Sequence, residues 1–305
     1  MIKVALLGAG AVGAYFIWGL SEKLGDNFCV VAKGTRKEKL ETEGIIINDR
    51  RYIPIVKEPE ELKQTDLLIV ACKYEALPEA MDDIRTIVKA HTTVISFMNG
   101  VTSEEMIGQA VGMEHLLYGV IRISSVRDGN KITFSEEHTA GIYVGEKDVT
   151  EPTERVRAVE EVFKDTPIRY HFVENIMVDM WMKYASNISQ NLPQAILSVG
   201  FQAYKDSEHV HFIAEQLWKE VAKVANAKGI PLTDRFLLFR GVKPDARFST
   251  LQDLDAGRHT EIEMFAGEMI RMGKACGVPV PYCEYTYHLI KALEEKNDGK
   301  FDLVK

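Results

Sequence analysis

From residue 1 to about 125 the chain alternates between short apolar runs and longer stretches with helical spacing. The runs are Lys3–Leu7, Phe28–Ala32, Leu67–Ala71, Val94–Phe97 and Leu116–Val120, and a helical pattern such as Ala14–Lys23 follows the first of them. Strand, helix, strand repetition of this kind predicts a parallel sheet covered on both faces. Two alternating segments, Ile121–Val126 and Lys131–Phe134, flank Asp128-Gly129-Asn130, a turn signal that predicts an antiparallel hairpin. A helix over Thr153–Asp165 is expected next. Beyond Pro167 and the short run Ile168–Val173 the pattern is helical almost to the end, with stops near Gly200, Gly229-Ile230-Pro231 and Gly277-Val278-Pro279. The expected class is α/β, an N-terminal Rossmann-type doubly wound sheet over residues 1–170 followed by an all-helical domain over 171–305.

Composition narrows the function classes. Of 305 residues, 46% are hydrophobic and 27% charged, values of an ordinary globular chain long enough for two cores. The formal net charge of -8 leaves no broad positive field for a phosphate backbone, so nucleic acid is not an expected partner. No apolar run approaches membrane-spanning length, and the strand-like Lys3–Leu7 follows Met1 without a basic, apolar and cleavage-site pattern, so no membrane association and a cytoplasmic location are expected. The four cysteines, Cys29, Cys72, Cys276 and Cys283, lack CxxC spacing and read as reduced thiols. His209 and His211 form an HxH pair with no third ligand at a suggestive spacing, so no metal is expected.

Gly8-Ala9-Gly10-Ala11-Val12-Gly13 is a GxGxxG motif between the first strand and the first helical pattern. In such a turn the first glycine permits a tight bend, the second admits the backbone to a pyrophosphate and the third lets helix and strand pack closely, while the helix N-terminus attracts the anion. An Asp or Glu about twenty residues further on would bond the ribose 2′-OH of NAD. This chain instead has Lys33, within Ala32-Lys33-Gly34-Thr35-Arg36-Lys37. Three cations without a local carboxylate suit a 2′-phosphate and favour NADP(H), through Lys33 and Arg36. The same run also reads as a solvated basic loop.

In Trp181–Asn191, Lys183, Asn187 and Asn191 stand at i, i+4 and i+8, one drifting stripe of a helix. Amides beside a lysine on such a stripe are unusual for packing alone, although a solvated face has the same pattern. With GAGAVG, Ala71-Cys72-Lys73, Met98-Asn99-Gly100 and this stripe in order, the chain resembles the ketopantoate reductase (2-dehydropantoate 2-reductase) family. The most specific likeness is Ser249-Thr250-Leu251-Gln252-Asp253 running on to Arg258, Thr260, Glu261, Ile262 and Glu263, which is similar to the family's S-x-L-Q-D-x-x-x-x-R-x-T-E-[IL]-[DE] signature.

That resemblance implies NADPH-dependent reduction of the 2-keto group of ketopantoate to pantoate, in pantothenate biosynthesis. It implies that Lys183 is the general acid and that Glu261 holds its ammonium and contacts the cofactor. Asn99, Asn187, Asn191 and Ser249 would then bind the substrate, with Asn99 and Lys73 near the nicotinamide and ribose. A cationic donor fits the chemistry, because hydride delivered to C2 leaves an alkoxide to be stabilised and protonated. Read without the resemblance, Ser249 with Gln252 fits a capping box, and Glu261 fits an acidic face shared with Glu263 and Glu268. The chain departs from the family at Met98, Phe248 and Leu192-Pro193-Gln194, and Lys33 stands for the usual Arg. Other readings are an NADP-dependent reductase of another 2-keto acid, a β-hydroxyacid dehydrogenase, or a non-catalytic NADP-sensing protein. The partner expected is a small 2-keto acid, and the chain a monomer or homodimer.

Overall fold

The computed structural model describes residues 2–239 and 241–301. By its internal contacts the chain divides into two compact units, one of residues 1–98 and 102–177, the other of residues 99–101 and 178–305.

In the first unit the apolar runs become strands of one eight-stranded sheet. In chain order the strands of this unit are β1 (Val4–Leu7), β2 (Phe28–Val31), β3 (Ile45–Ile47), β4 (Arg50–Tyr52), β5 (Val56–Lys57), β6 (Leu67–Val70), β7 (Thr93–Ser96), β8 (Leu116–Arg122), β9 (Ser125–Asp128), β10 (Lys131–Phe134), β11 (Gly141–Gly145) and β12 (Tyr170–Phe172). The large sheet has the order β12-β11-β8-β7-β6-β1-β2-β5 and is parallel from β5 to β8, with β11 antiparallel to β8. The neighbouring strands β6, β1 and β2 are apolar throughout because both faces are covered. Val4, Leu6, Phe28, Val30, Leu67 and Ile69 belong to one core layer, and Ala5, Leu7, Cys29, Val31, Leu68 and Val70 to the other. Helices α1 (Ala11–Leu24), α2 (Gly34–Thr42), α3 (Leu77–Ile87), α4 (Ser103–Val111) and α5 (Glu154–Phe163) connect the strands. α1 and α5 supply the first layer and α3 and α4 the second. The Thr153 hydroxyl caps α5 by accepting from the Val156 amide. β1 lies between β2 and β6, where the strand order reverses, the position at which open α/β sheets bind ligands.

Three features differ from the sequence expectation. A second sheet, β4-β3-β10-β9, forms from a hairpin unmarked by any long apolar run. Asn48 and Asp49, both at positive φ, make its two-residue turn. The expected hairpin arm Ile121–Val126 is split: Ile121 and Arg122 remain in β8, paired with Ile142 and Gly141, and only Ser125–Asp128 pairs with β10. The boundary expected at 170/171 falls within β12, which is hydrogen-bonded to β11, and the division into units comes after Met177.

The second unit is helical, built from most of α6 (Ile176–Ser186) with α7 (Leu192–Leu197), α8 (Ala203–Asp206), α9 (Glu208–Ala227), α10 (Ser249–Asp255), α11 (Glu268–Cys276) and α12 (Pro281–Asn297). α9 runs through its core, burying Leu217, Trp218 and Val221 completely, and its Glu220 carboxylate accepts from the Tyr282 and Cys283 amides to cap α12. No helix among the described residues is long and apolar enough to cross a membrane.

Candidate functional site

The glycine motif owes its shape to what each glycine leaves out. Gly8 has φ +107°, and a Cβ on it would lie 2.5 Å from the Ala71 carbonyl carbon. A Cβ on Gly13 would lie 1.9 Å from the Gly8 oxygen, so β1 and α1 meet there without room for a methyl group. Gly10, by contrast, faces open space, with Arg127 Nη1 the nearest group to its absent Cβ at 4.0 Å. Ala9 is buried, Ala11 and Val12 start α1, and Gly10 precedes them with no side-chain cap. The first-turn amides of α1 therefore face a cradle that a side chain would fill, and the residues fit a dinucleotide's pyrophosphate.

At the end of β2, Lys33 precedes α2 and Arg36 is exposed in its first turn. The expectation of cations without carboxylates holds for the local sequence and fails in three dimensions. Lys33 is in a hydrogen-bonded ion pair with Asp83 of α3, and that bond holds its ammonium above the ordinary lysine pKa. Lys37 Nζ lies 3.5 Å from Glu58 and 3.6 Å from Glu61. Lys73, after β6, is exposed and opens a short 3-10 turn, Tyr74–Ala76.

In the second unit the Lys183–Asn191 stripe is not one α-helix. α6 ends at Ser186, Asn187–Asn191 is a π-helical turn, and α7 begins at Leu192. A second π turn, Glu263–Gly267, precedes α11 and packs against the first. Such widened turns are rare and recur at functional sites, because the inserted residue shifts the face that side chains present. The Tyr184 hydroxyl, next to Lys183, donates to the Met264 carbonyl at 3.0 Å and the Phe265 carbonyl at 2.6 Å, tying α6 to the second π turn.

Lys183 and Asn187 are half-buried, and Asn191 is 5% exposed with its Oδ1 atom unpartnered. Asn99, which groups with this unit, donates from Nδ2 to Glu261 Oε2 at 3.1 Å. Glu263 accepts from the Tyr287 hydroxyl, and Glu263 and Glu268 both lie within ion-pair distance of Arg271. Thr260, beside Glu261, gives both its amide and its hydroxyl to Glu294 Oε1, each at 2.7 Å, and its Oγ1 accepts from the Ile262 amide. Ser249 is the exposed first residue of α10, which packs on the first π turn. The capping box is absent: Phe248 is the N-cap, and Gln252 Nε2 donates to the Arg247 carbonyl.

Two residues outside the sequence expectations organise this region. Fully buried Gln190 donates to the Leu237 carbonyl and accepts from the Phe239 amide; fully buried Gln194 donates to the Ala246 carbonyl at 2.9 Å and accepts from the Phe248 amide at 2.7 Å. Each amide closes two bonds with the backbone that leads to Ser249. Their signal was two glutamines four residues apart in an apolar stretch.

The family described as Ketopantoate reductase PanE/ApbA matches residues 4–148, and its C-terminal domain matches residues 175–294. The chain is 26% identical over 306 residues to the uncharacterized oxidoreductase YkpB of Bacillus subtilis (strain 168), covering 96% of this chain and 99% of that protein. It is 28% identical over 311 residues to a 2-dehydropantoate 2-reductase of Pyrococcus horikoshii, covering 98% and 99%. Among solved structures, D-mandelate dehydrogenase with NADH and anilino(oxo)acetate shares the fold at a TM-score of 0.84 and 22% identity, covering 97% of this chain and 99% of that one.

Proposed function

Because the chain belongs to the ketopantoate reductase PanE/ApbA family, an oxidoreductase family, we propose that it reduces the 2-keto group of ketopantoate to pantoate with NADPH. The observation that supports this most is the grouping, within one unit, of Lys183, Asn187 and Asn191 on a helix that widens into a π turn, with Glu261 bonded to Asn99.

The glycine loop from Gly8 to Gly13 would hold the pyrophosphate, Lys33 and Arg36 the 2′-phosphate, and Lys73, Asn99 and Glu261 the nicotinamide half. Bound there, NADPH supplies the hydride for C2. Lys183 donates the proton to the oxygen that becomes an alkoxide, and its positive charge stabilises that oxygen beforehand. Glu261 holds the ammonium and, through its bond to Asn99, the carboxamide. The buried Asn191 Oδ1 is an acceptor without a donor, a state that costs about 1–3 kcal/mol and that a substrate hydroxyl relieves. Asn187 and Ser249 bond the remaining hydroxyl and carboxylate oxygens.

A second reading, reduction of a different 2-keto acid, is favoured by Phe248, whose ring contacts Phe201 and Phe239 at 5.8 and 5.9 Å next to Ser249. Loss of nicotinamide absorbance with ketopantoate and with 2-keto acids bearing simple alkyl or aryl side chains separates the two. Preference for ketopantoate supports the first reading, preference for an aryl keto acid the second, and binding without turnover of any would leave a sensor.

A further inference from the structure

We propose that Asp83 sets the cofactor preference of this chain, by competing with a ribose 2′-phosphate for the Lys33 ammonium. This rests on the reading that the turn after β2 receives the adenosine ribose of a dinucleotide, as in Rossmann folds generally. Lys33 stands at that position but is already engaged, hydrogen-bonded to Asp83. The two partners are unequal: the Lys33 side chain is 51% exposed and that of Asp83 only 20%. The acid is held on α3, while the long lysine is free to swing, so Asp83 stays in place whichever anion Lys33 serves.

The surrounding charges reinforce the competition. Lys37, the last cation of the run, is drawn to Glu58 and Glu61, and the charges of Glu58 and Glu60 also act on Lys33. Two of the three cations of the turn, Lys33 and Lys37, therefore lie beside carboxylates. A 2′-phosphate must take Lys33 from the carboxylate that already holds it. A ribose 2′-hydroxyl makes no such demand and leaves the ion pair intact. Asp83 accordingly penalises NADPH and is indifferent to NADH, and it narrows a preference that the basic run alone would make strong. The ion pair is at the surface, where such pairs add little to stability, so its removal leaves the fold in place.

The test titrates NADPH and NADH separately into the full-length wild type and the Asp83→Asn, Lys33→Ala and double variants, reading nicotinamide fluorescence. Asp83→Asn is expected to tighten NADPH by about three- to tenfold, the scale of one freed charge-assisted contact, and to leave NADH unchanged. In the Lys33→Ala background the gain should vanish, because Asp83 acts through Lys33. Equal gains for both dinucleotides, no gain, or a gain that survives Lys33→Ala would overturn the proposal. A wild type that binds neither dinucleotide would instead remove the reading beneath it, and the proposal with it.

Discussion

On the proposed reading, the glycine turn of the first unit and the paired π turns of the second would reach function by opposite means. In the turn the working groups would be backbone amides, and the sequence contributes by leaving side chains out at Gly8, Gly10 and Gly13. In the π turns the working groups would be side chains, and the backbone departs from α-helical geometry at Asn187–Asn191 and Glu263–Gly267. A backbone site is specified by a few adjacent residues, whereas a side-chain site depends on a wider shell. Here that shell includes Gln194, bonded to the Phe248 amide next to Ser249, and Glu294, bonded to the Thr260 amide next to Glu261, with Tyr184 and Gln190 bonded to backbone further off.

Substitutions sharpen this contrast. Gly13→Ala forces a methyl group onto the Gly8 oxygen and should cost about 2–4 kcal/mol of stability, measured by denaturant unfolding. Gly10→Ala meets nothing closer than 4.0 Å, so it should change stability by less than about 1 kcal/mol while weakening NADPH by about tenfold or more. If both variants lose stability equally, the open cradle at Gly10 is not there.

Next in size is Gln194→Ala, which strands the Phe248 amide and the Ala246 carbonyl. A loss of about 2–3 kcal/mol is expected, with a raised KM for the keto acid and little change for NADPH. A rise in the NADPH constant as large as that for the keto acid would break the assignment of this shell to the substrate side.

The smallest effect expected is on acid stability. Burial pushes the Glu294 carboxyl up, but Lys291 and the two Thr260 donors outweigh burial and hold it below the usual glutamate value. A depressed folded pKa stabilises above the unfolded value of about 4.3 and loses that contribution as pH falls through the folded one. Glu294→Gln should melt below wild type at neutral pH, with the gap closing under about pH 4. A gap that does not change with pH would mean that the charge of Glu294 contributes nothing.

How much was legible in the sequence follows the same division. β1, β2 and β6 were readable because a strand buried on both faces is apolar at every position, and β7 by its Val94–Phe97 run. β3, β4 and β5, of two or three residues each, were not, although Asn48-Asp49 carried a hairpin signal. Lys183, Asn187 and Asn191 were singled out by α-helical spacing and given roles only by the family resemblance, and the π turn between them has no such signature. The basic run at Lys33 was read without its carboxylates because these come from α3 and the Pro59–Glu61 turn, remote in sequence. Gln190 and Gln194 were visible as residues, but nothing local shows that their partners lie some fifty positions on.

The central claim, that the second unit performs proton transfer while the first holds the dinucleotide, is tested most directly on Lys183→Ala. NADPH affinity and turnover of ketopantoate are measured on the same preparation, with Glu261→Ala and the double variant alongside. Loss of a positioned proton donor should lower turnover by about 10²–10⁴ while NADPH still binds, and the double variant should be far less impaired than the product of the singles. If Lys183→Ala retains more than about a tenth of wild-type turnover, against the ~10² minimum for a lost donor, Lys183 is not the acid and the account is wrong.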